Sequence, residues 1–146
     1  MDNTFRKGFD YTGVCVIFWC HDGNGKYVLA KRSKQARDEQ GCWDVGGGGL
    51  EFNDHVLERV STEVMEEYGA EPEQIEFLGY RDAHRQKDGQ AYHWIALDFK
   101  VKVNPSRVRI CEPHKFDELG WFSLGNLPEP LHSQLPAAIK QYKNKL

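Results

Sequence analysis

The segment from Gly48 to Gly69, GGLEFNDHVLERVSTEVMEEYG, constrains this chain more than any other stretch. It leaves a run of glycines, Gly46 to Gly49, and closes on another glycine, Gly69. Between them Val56, Val60, Val64 and Tyr68 recur every fourth residue, the apolar stripe of a helix packed on a core. Asn53 or Asp54 can accept from the first free amides as an N-cap. Gly69 suits the left-handed position that ends a helix. Glu63, Glu66 and Glu67 stand at i, i+3 and i+4 and share a different face. Carboxylates crowded on one face repel each other, and a hard divalent cation offsets that, because Mg²⁺ and Mn²⁺ prefer oxygen ligands. A solvated acidic face is the alternative fate of such a charge run. The glycines weigh against it, since a backbone without Cβ atoms can approach a metal or a phosphate closely. They also read as a tight turn between strand and helix, and the two readings are compatible.

Around this unit the chain alternates strands and turns. Residues 13–20 (GVCVIFWC) form an apolar, β-branched run that reads as a buried strand. HDGNG at 21–25 is a turn signal, and 26–32 reads as the returning strand. Residues 33–41 are polar and read as a loop, and Trp43 to Val45 as a short strand entering the glycines. Further strands are predicted at 75–85 and 91–103, joined by a turn at Asp88-Gly89, and at 119–124 around Trp121 and Phe122. A short strand is also predicted at 108–110. A terminal helix is predicted over 133–146, capped by Ser133, with Leu135, Ile139 and Tyr142 facing inward and Pro136 tolerated in its first turn. This order fits a mixed sheet covered on both faces, an α/β (α+β) sandwich.

With 146 residues, one domain spanning 1–146 is expected. The formal net charge of -3 gives no reason to expect general nucleic-acid binding, which calls for a basic face. No run approaches the roughly 20 apolar residues of a membrane helix, and no basic region followed by an apolar core opens the chain as a signal peptide would. Cys15, Cys20, Cys42 and Cys111 show no C-x-x-C spacing, so they read as reduced thiols of a cytoplasmic protein.

The glycine-to-glycine segment resembles the Nudix box. Gly48 falls on the first glycine of that pattern, Glu63 on the glutamate of its R-E pair and Val64 on its aliphatic site. Glu66 and Glu67 fall on its E-E pair, and Gly69 on the closing glycine. Asp54, Thr62 and Ala70 depart, standing where the family has glutamate, arginine and a larger aliphatic residue. The likeness extends from about Gly13 to Leu131 and includes an acidic stretch before a Trp-Phe strand. It implies the family's α/β/α sandwich with a mixed sheet between helices. It also implies a Mg²⁺-dependent hydrolase, with Mn²⁺ as substitute, that cleaves the pyrophosphate linkage of a nucleoside diphosphate joined to a further group. A nucleoside triphosphate, oxidised or non-standard ones included, is the expected substrate, giving the monophosphate and pyrophosphate. The resemblance implies that Glu63 and Glu67 bind metal directly, that Glu66 is a ligand or the base, and that Gly47 or Gly48 offers a carbonyl. A homodimer is a family-level expectation. The alternative is a nucleotide-binding or sensor module weakened by the loss of arginine at Thr62. Arg59, one helical turn before Glu63, could pair with it in compensation.

Outside the box, His84, Arg85, Tyr92 and Trp94 flank the predicted hairpin and suit nucleobase stacking or phosphate binding. Arg32 could face the phosphates from its strand end, and Asp117 could read a base or add a carboxylate. Packing or surface roles are the alternatives for each.

Overall fold

The computed structural model describes residues 4–146. Its strands are β1 (Gly13–His21), β2 (Tyr27–Arg32), β3 (Trp43–Asp44), β4 (Gly46–Gly49), β5 (Gln74–Lys87), β6 (Gln90–Lys102) and β7 (Phe116–Phe122). Two α-helices accompany them, α1 (Val56–Tyr68) and α2 (Leu135–Gln141). β1 runs parallel to β6 along its whole length and antiparallel to β4 over Cys15–Phe18. β5 and β6 form a long antiparallel hairpin, and β2 pairs with both β3 and β7. The two limbs, β5-β6-β1-β4 and β7-β2-β3, meet at His21 opposite Tyr27. The sheet is therefore mixed.

The alternation of β1 builds a core on each side of the sheet. Val16, Phe18 and Cys20 pack with Val60, Val64 and Tyr68 of α1, and Phe99 and Val101 of β6 join them. Trp19 packs the other way, with Tyr27, Leu29, Leu78 and the α2 residues Leu135, Ala138 and Tyr142. Each fully buried valine of the α1 stripe stabilises the fold by about 1.5–3 kcal/mol. The sandwich expected from the sequence is the observed architecture. Among the described residues no helix is long and apolar enough to cross a membrane.

Several local expectations are corrected. The glycine run is a strand, not simply a turn, because it pairs with β1, and Gly46 to Gly48 are crowded where side chains would stand. A Cβ on Gly46 would fall on the Phe18 ring and 2.7 Å from Glu67 Oε2. The N-cap of α1 is His55, with no side-chain cap. Asn53 takes a left-handed φ of 70°, and Asp54 instead accepts from the Glu51 amide at 2.7 Å and from Arg59. Gly69 behaves as expected, with φ 71° and its amide on the Met65 carbonyl at 2.9 Å. No strand forms at 108–110; a 3₁₀ turn at Pro105–Arg107 precedes it, seeded by Asn104, whose side chain accepts from the Ser106 amide. α2 is shorter than predicted and starts after Gln134, because the Ser133 hydroxyl and amide both donate to Glu39 (2.9 and 2.7 Å) rather than capping the helix.

Candidate functional site

The acidic face of α1 lies against the backbone of β4. Glu67 is buried and accepts from the Gly47 amide at 3.2 Å through Oε2. Burial, then the charges of Glu112 and Glu63, hold its carboxyl well above the usual carboxylate range. Glu63 is shifted the same way by burial, opposed by its hydrogen bond to Arg59, with Glu66 adding repulsion. Glu66 is exposed. A Cβ on Gly48 would stand 2.7 Å from both Glu63 carboxylate oxygens. Glycine there leaves room for the Glu63 carboxylate against the backbone of β4. This donor set, all oxygen and strained by like charge, fits a hard divalent cation such as Mg²⁺.

Arg59 braces this face. Its Nη1 donates to Glu63 Oε1 at 3.1 Å and its Nε to Asp54 Oδ2 at 2.9 Å. The pairing across one helical turn, anticipated because Thr62 cannot supply a charge, is present, and Thr62 itself is exposed. The guanidinium depresses the pKa of Asp54, chiefly through their hydrogen bond.

A cleft of about 260 Å³ opens beside Gly47, Gly48 and Glu67. Arg85, Tyr92 and Trp94 form part of its far wall, and Arg37 reaches it from the loop before β3. The Trp94 indole is clamped against the chain: a Cβ on Gly13 would come within 2.6 Å of it. Arg85 lies over the Tyr92 ring at 5.4 Å. Among the described residues Arg37 has no ion-pair partner, whereas the other arginines of the cleft are engaged. Arg32 donates to Asp38 Oδ1 at 2.8 Å and stands 3.6 Å from Asp44. Arg85 bridges Asp38 at 3.2 Å and Glu39 at 2.5 Å. Glu39 also meets His132 Nε2 at 2.8 Å. These pairs tie the polar loop 33–42 over one end of the cleft. Cys15 also lines it, but burial pushes its thiol up to about 12, so it is not a nucleophile at neutral pH.

Beneath the cleft Arg81 makes a two-pronged pair with the fully buried Asp98, both bonds at 2.8 Å. Tyr142 of α2 donates to the same carboxylate at 2.7 Å. This network joins the cleft floor to α2, whose first residue, Leu135, also lines the cleft.

Of the residues singled out from sequence, the structure gathers Gly48, Glu63 and Glu67 around β4, with Glu66 nearby, and brings Arg32, Arg85, Tyr92 and Trp94 to the cleft. His84 is not among the cleft residues, because strand alternation turns it away while Arg85 faces in. Asp117 is exposed outside the cleft, and its neighbour Phe116 lines it instead. Sequence reading missed Glu112, whose charge acts on Glu67; the hydrogen bond from the Cys111 amide to the Glu67 carbonyl docks its loop against α1. It also missed Arg81, Asp98, Asp44, His132 and Arg37. A lone aspartate within an apolar strand, as Asp98 is in AYHWIALDFKVKV, was the one available signal of a buried partner.

The sequence model of the NUDIX domain matches residues 11–142, and the chain belongs to this family, that of the Nudix hydrolases. It is 27% identical over 115 residues to an RNA pyrophosphohydrolase of Acinetobacter baylyi, covering 68% of this chain and 66%, just under two thirds, of the relative. It is 26% identical over 125 residues to an RNA pyrophosphohydrolase of Gluconacetobacter diazotrophicus, covering 74% of this chain and 75% of the relative. Among solved structures it is similar to a MutT NUDIX hydrolase from Burkholderia pseudomallei. The TM-score is 0.79 at 29% identity, with 90% of this chain and 98% of that one covered.

Proposed function

We propose that this protein is a Mg²⁺-dependent pyrophosphohydrolase acting on a nucleoside diphosphate linked to a further group. Its best-supported substrate class is a nucleoside triphosphate, oxidised or non-standard ones included, cleaved to the monophosphate and pyrophosphate. The observation that carries this reading is the set of Glu63, Glu66 and Glu67 meeting a side-chain-free β4 at the edge of a cleft with arginine and aromatic walls. In this reading Glu63, Glu67 and the carbonyl of Gly47, whose amide faces Glu67, would hold the cation, with substrate phosphates as its further ligands. When bound, the cation polarises phosphoryl oxygens and offsets the charge that develops on them. Glu66, exposed beside Glu63, takes the proton of the attacking water or completes the ligand set. Arg59 fixes the Glu63 rotamer. Arg37 meets phosphate oxygens, while Trp94 offers a ring face to a base and Tyr92 supports Arg85 beside it.

A second reading, the 5′-triphosphate end of an RNA, is favoured by the names of the two pyrophosphohydrolase relatives. The net charge of -3 weighs against it, since RNA binding draws on a basic surface. The experiment that separates them presents the purified protein and Mg²⁺ with nucleoside triphosphates, oxidised triphosphates, nucleotide sugars, ADP-ribose and a 5′-triphosphorylated oligonucleotide, with products resolved by ³¹P NMR. Monophosphate and pyrophosphate from a free triphosphate support the leading reading. Preference for the oligonucleotide selects the second. Nucleotide binding without turnover would select a sensor role.

A further inference from the structure

We propose a second metal site, for a borderline transition cation such as Zn²⁺, formed by Asp82, His84 and His93 on the face of the β5–β6 hairpin that points away from the cleft. On β5, Arg81, Ala83 and Arg85 line the cleft, so Asp82 and His84 project to the other side. His84 sits directly across the ladder from His93, and their rings stack 4.1 Å apart at 14°. Asp82 reaches the same spot, with Oδ1 3.0 Å from His93 Nε2. One ligand atom from each of the three residues lies within 4.8 Å of the others.

Two features favour a metal over a chance cross-strand cluster. Neighbouring ligands on a tetrahedral ion with bonds near 2.0–2.1 Å stand about 3.3 Å apart, close to the spacing already held by His93 Nε2 and Asp82 Oδ1. His93 also has an outer partner, since its Nδ1 lies 3.1 Å from Thr12 Oγ1. With a metal on Nε2 in place of the proton shared with Asp82, Nδ1–H would donate to that hydroxyl, the arrangement that metal-binding histidines require. His84 completes the set by turning about its broad χ2 torsion, which its exposed position allows.

The donor chemistry separates this site from the carboxylates of α1. Two imidazoles and one carboxylate select Zn²⁺ and its neighbours, whereas Mg²⁺ prefers oxygen throughout. Through Thr12, a bound ion would tie the turn before β1 to the hairpin end. The expected consequence is added stability on Zn²⁺ binding, since an ion bound only by the folded state raises the melting temperature.

The test is a Zn²⁺ titration of the tag-free full chain in excess Mg²⁺, which keeps the α1 carboxylates occupied, followed by imidazole ¹H–¹⁵N NMR. The resonances of His84 and His93 should move or broaden first, before those of His21, His55, His114 and His132. His84→Ala and His93→Ala should each weaken Zn²⁺ binding by at least about tenfold, and Thr12→Val by less. Melting temperature should rise with Zn²⁺ in the parent and not in His84→Ala. Unmoved His84 and His93 signals at stoichiometric Zn²⁺ would overturn the proposal, as would equal affinity in a folded His84→Ala. Because the readout is the imidazoles and not turnover, the result is independent of which substrate the cleft takes.

Discussion

Arg59 Nη1 stands 3.1 Å from Glu63 Oε1, and the same guanidinium reaches Asp54 through Nε at 2.9 Å. One side chain thus anchors a carboxylate of the acidic face to the loop that enters α1, a position from which Thr62 is absent. Arg59→Ala should lower kcat/KM by about 10–100-fold, the usual cost of removing a group that orients a metal ligand. Adding Thr62→Arg to that variant should restore part of the loss. Steady-state kinetics at saturating Mg²⁺ check both. Unchanged turnover in Arg59→Ala would make the contact a surface pair.

The glycines of β4 should differ sharply in tolerance. A Cβ on Gly48 meets the Glu63 carboxylate at 2.7 Å, whereas one on Gly49 meets only Lys7 and Glu51, at 3.7 and 3.8 Å. Gly48→Ala should weaken Mg²⁺ binding by about 10–100-fold, since Glu63 must give way. Gly49→Ala should cost far less. Mg²⁺ titration of activity, with circular dichroism as the folding check, tests the pair.

The pH dependence follows from Glu67 and Glu63, whose carboxyls are held above their ordinary values by burial. Between the ordinary and the raised pKa the folded state keeps protons that the unfolded state releases. The contribution of these groups to stability therefore falls as pH rises through that window. Without metal, the melting temperature of Glu67→Gln should decline less than that of the parent from about pH 5 upward. Added Mg²⁺ should stabilise the parent more at higher pH, because its ligands must be deprotonated. Identical slopes for parent and variant would refute this assignment.

How much of this was legible beforehand depended on whether a feature was local. The α1 stripe, the closing Gly69 and the shared face of Glu63, Glu66 and Glu67 are set by helical period alone. The mixed sheet followed from element order together with the Nudix resemblance. What stayed hidden depended on pairing. Gly46–Gly49 read as a turn because nothing in four glycines announces a ladder with β1. Asp98, Arg81 and Tyr142 lie on three separate elements, and no spacing in the chain links them. Ser133 reads as a cap because nothing nearby in sequence shows that Glu39 claims it. His84 and Arg85 are neighbours in sequence, yet strand alternation sends adjacent side chains to opposite faces.

The Arg81–Asp98 pair should matter to stability. Asp98 is wholly buried, so Arg81→Met leaves an uncompensated carboxylate, which should cost about 3–5 kcal/mol. Tyr142→Phe removes one donor to that carboxylate and should cost about 1–3 kcal/mol. Urea denaturation measures both. A loss below that range in Arg81→Met would mean that water enters the site and solvates Asp98.

In the proposed function the carboxylates of α1 run a metal-dependent cleavage. The most direct measurement is nucleoside triphosphate hydrolysis as a function of Mg²⁺ for the parent and for Glu67→Gln. The amide oxygen of that variant can still accept the Gly47 hydrogen bond. Turnover should be absent in chelator, saturate with Mg²⁺ and fall by about 10²–10³-fold in a Glu67→Gln protein of unchanged fold. Turnover that ignores Mg²⁺, or that survives intact in Glu67→Gln, would contradict it.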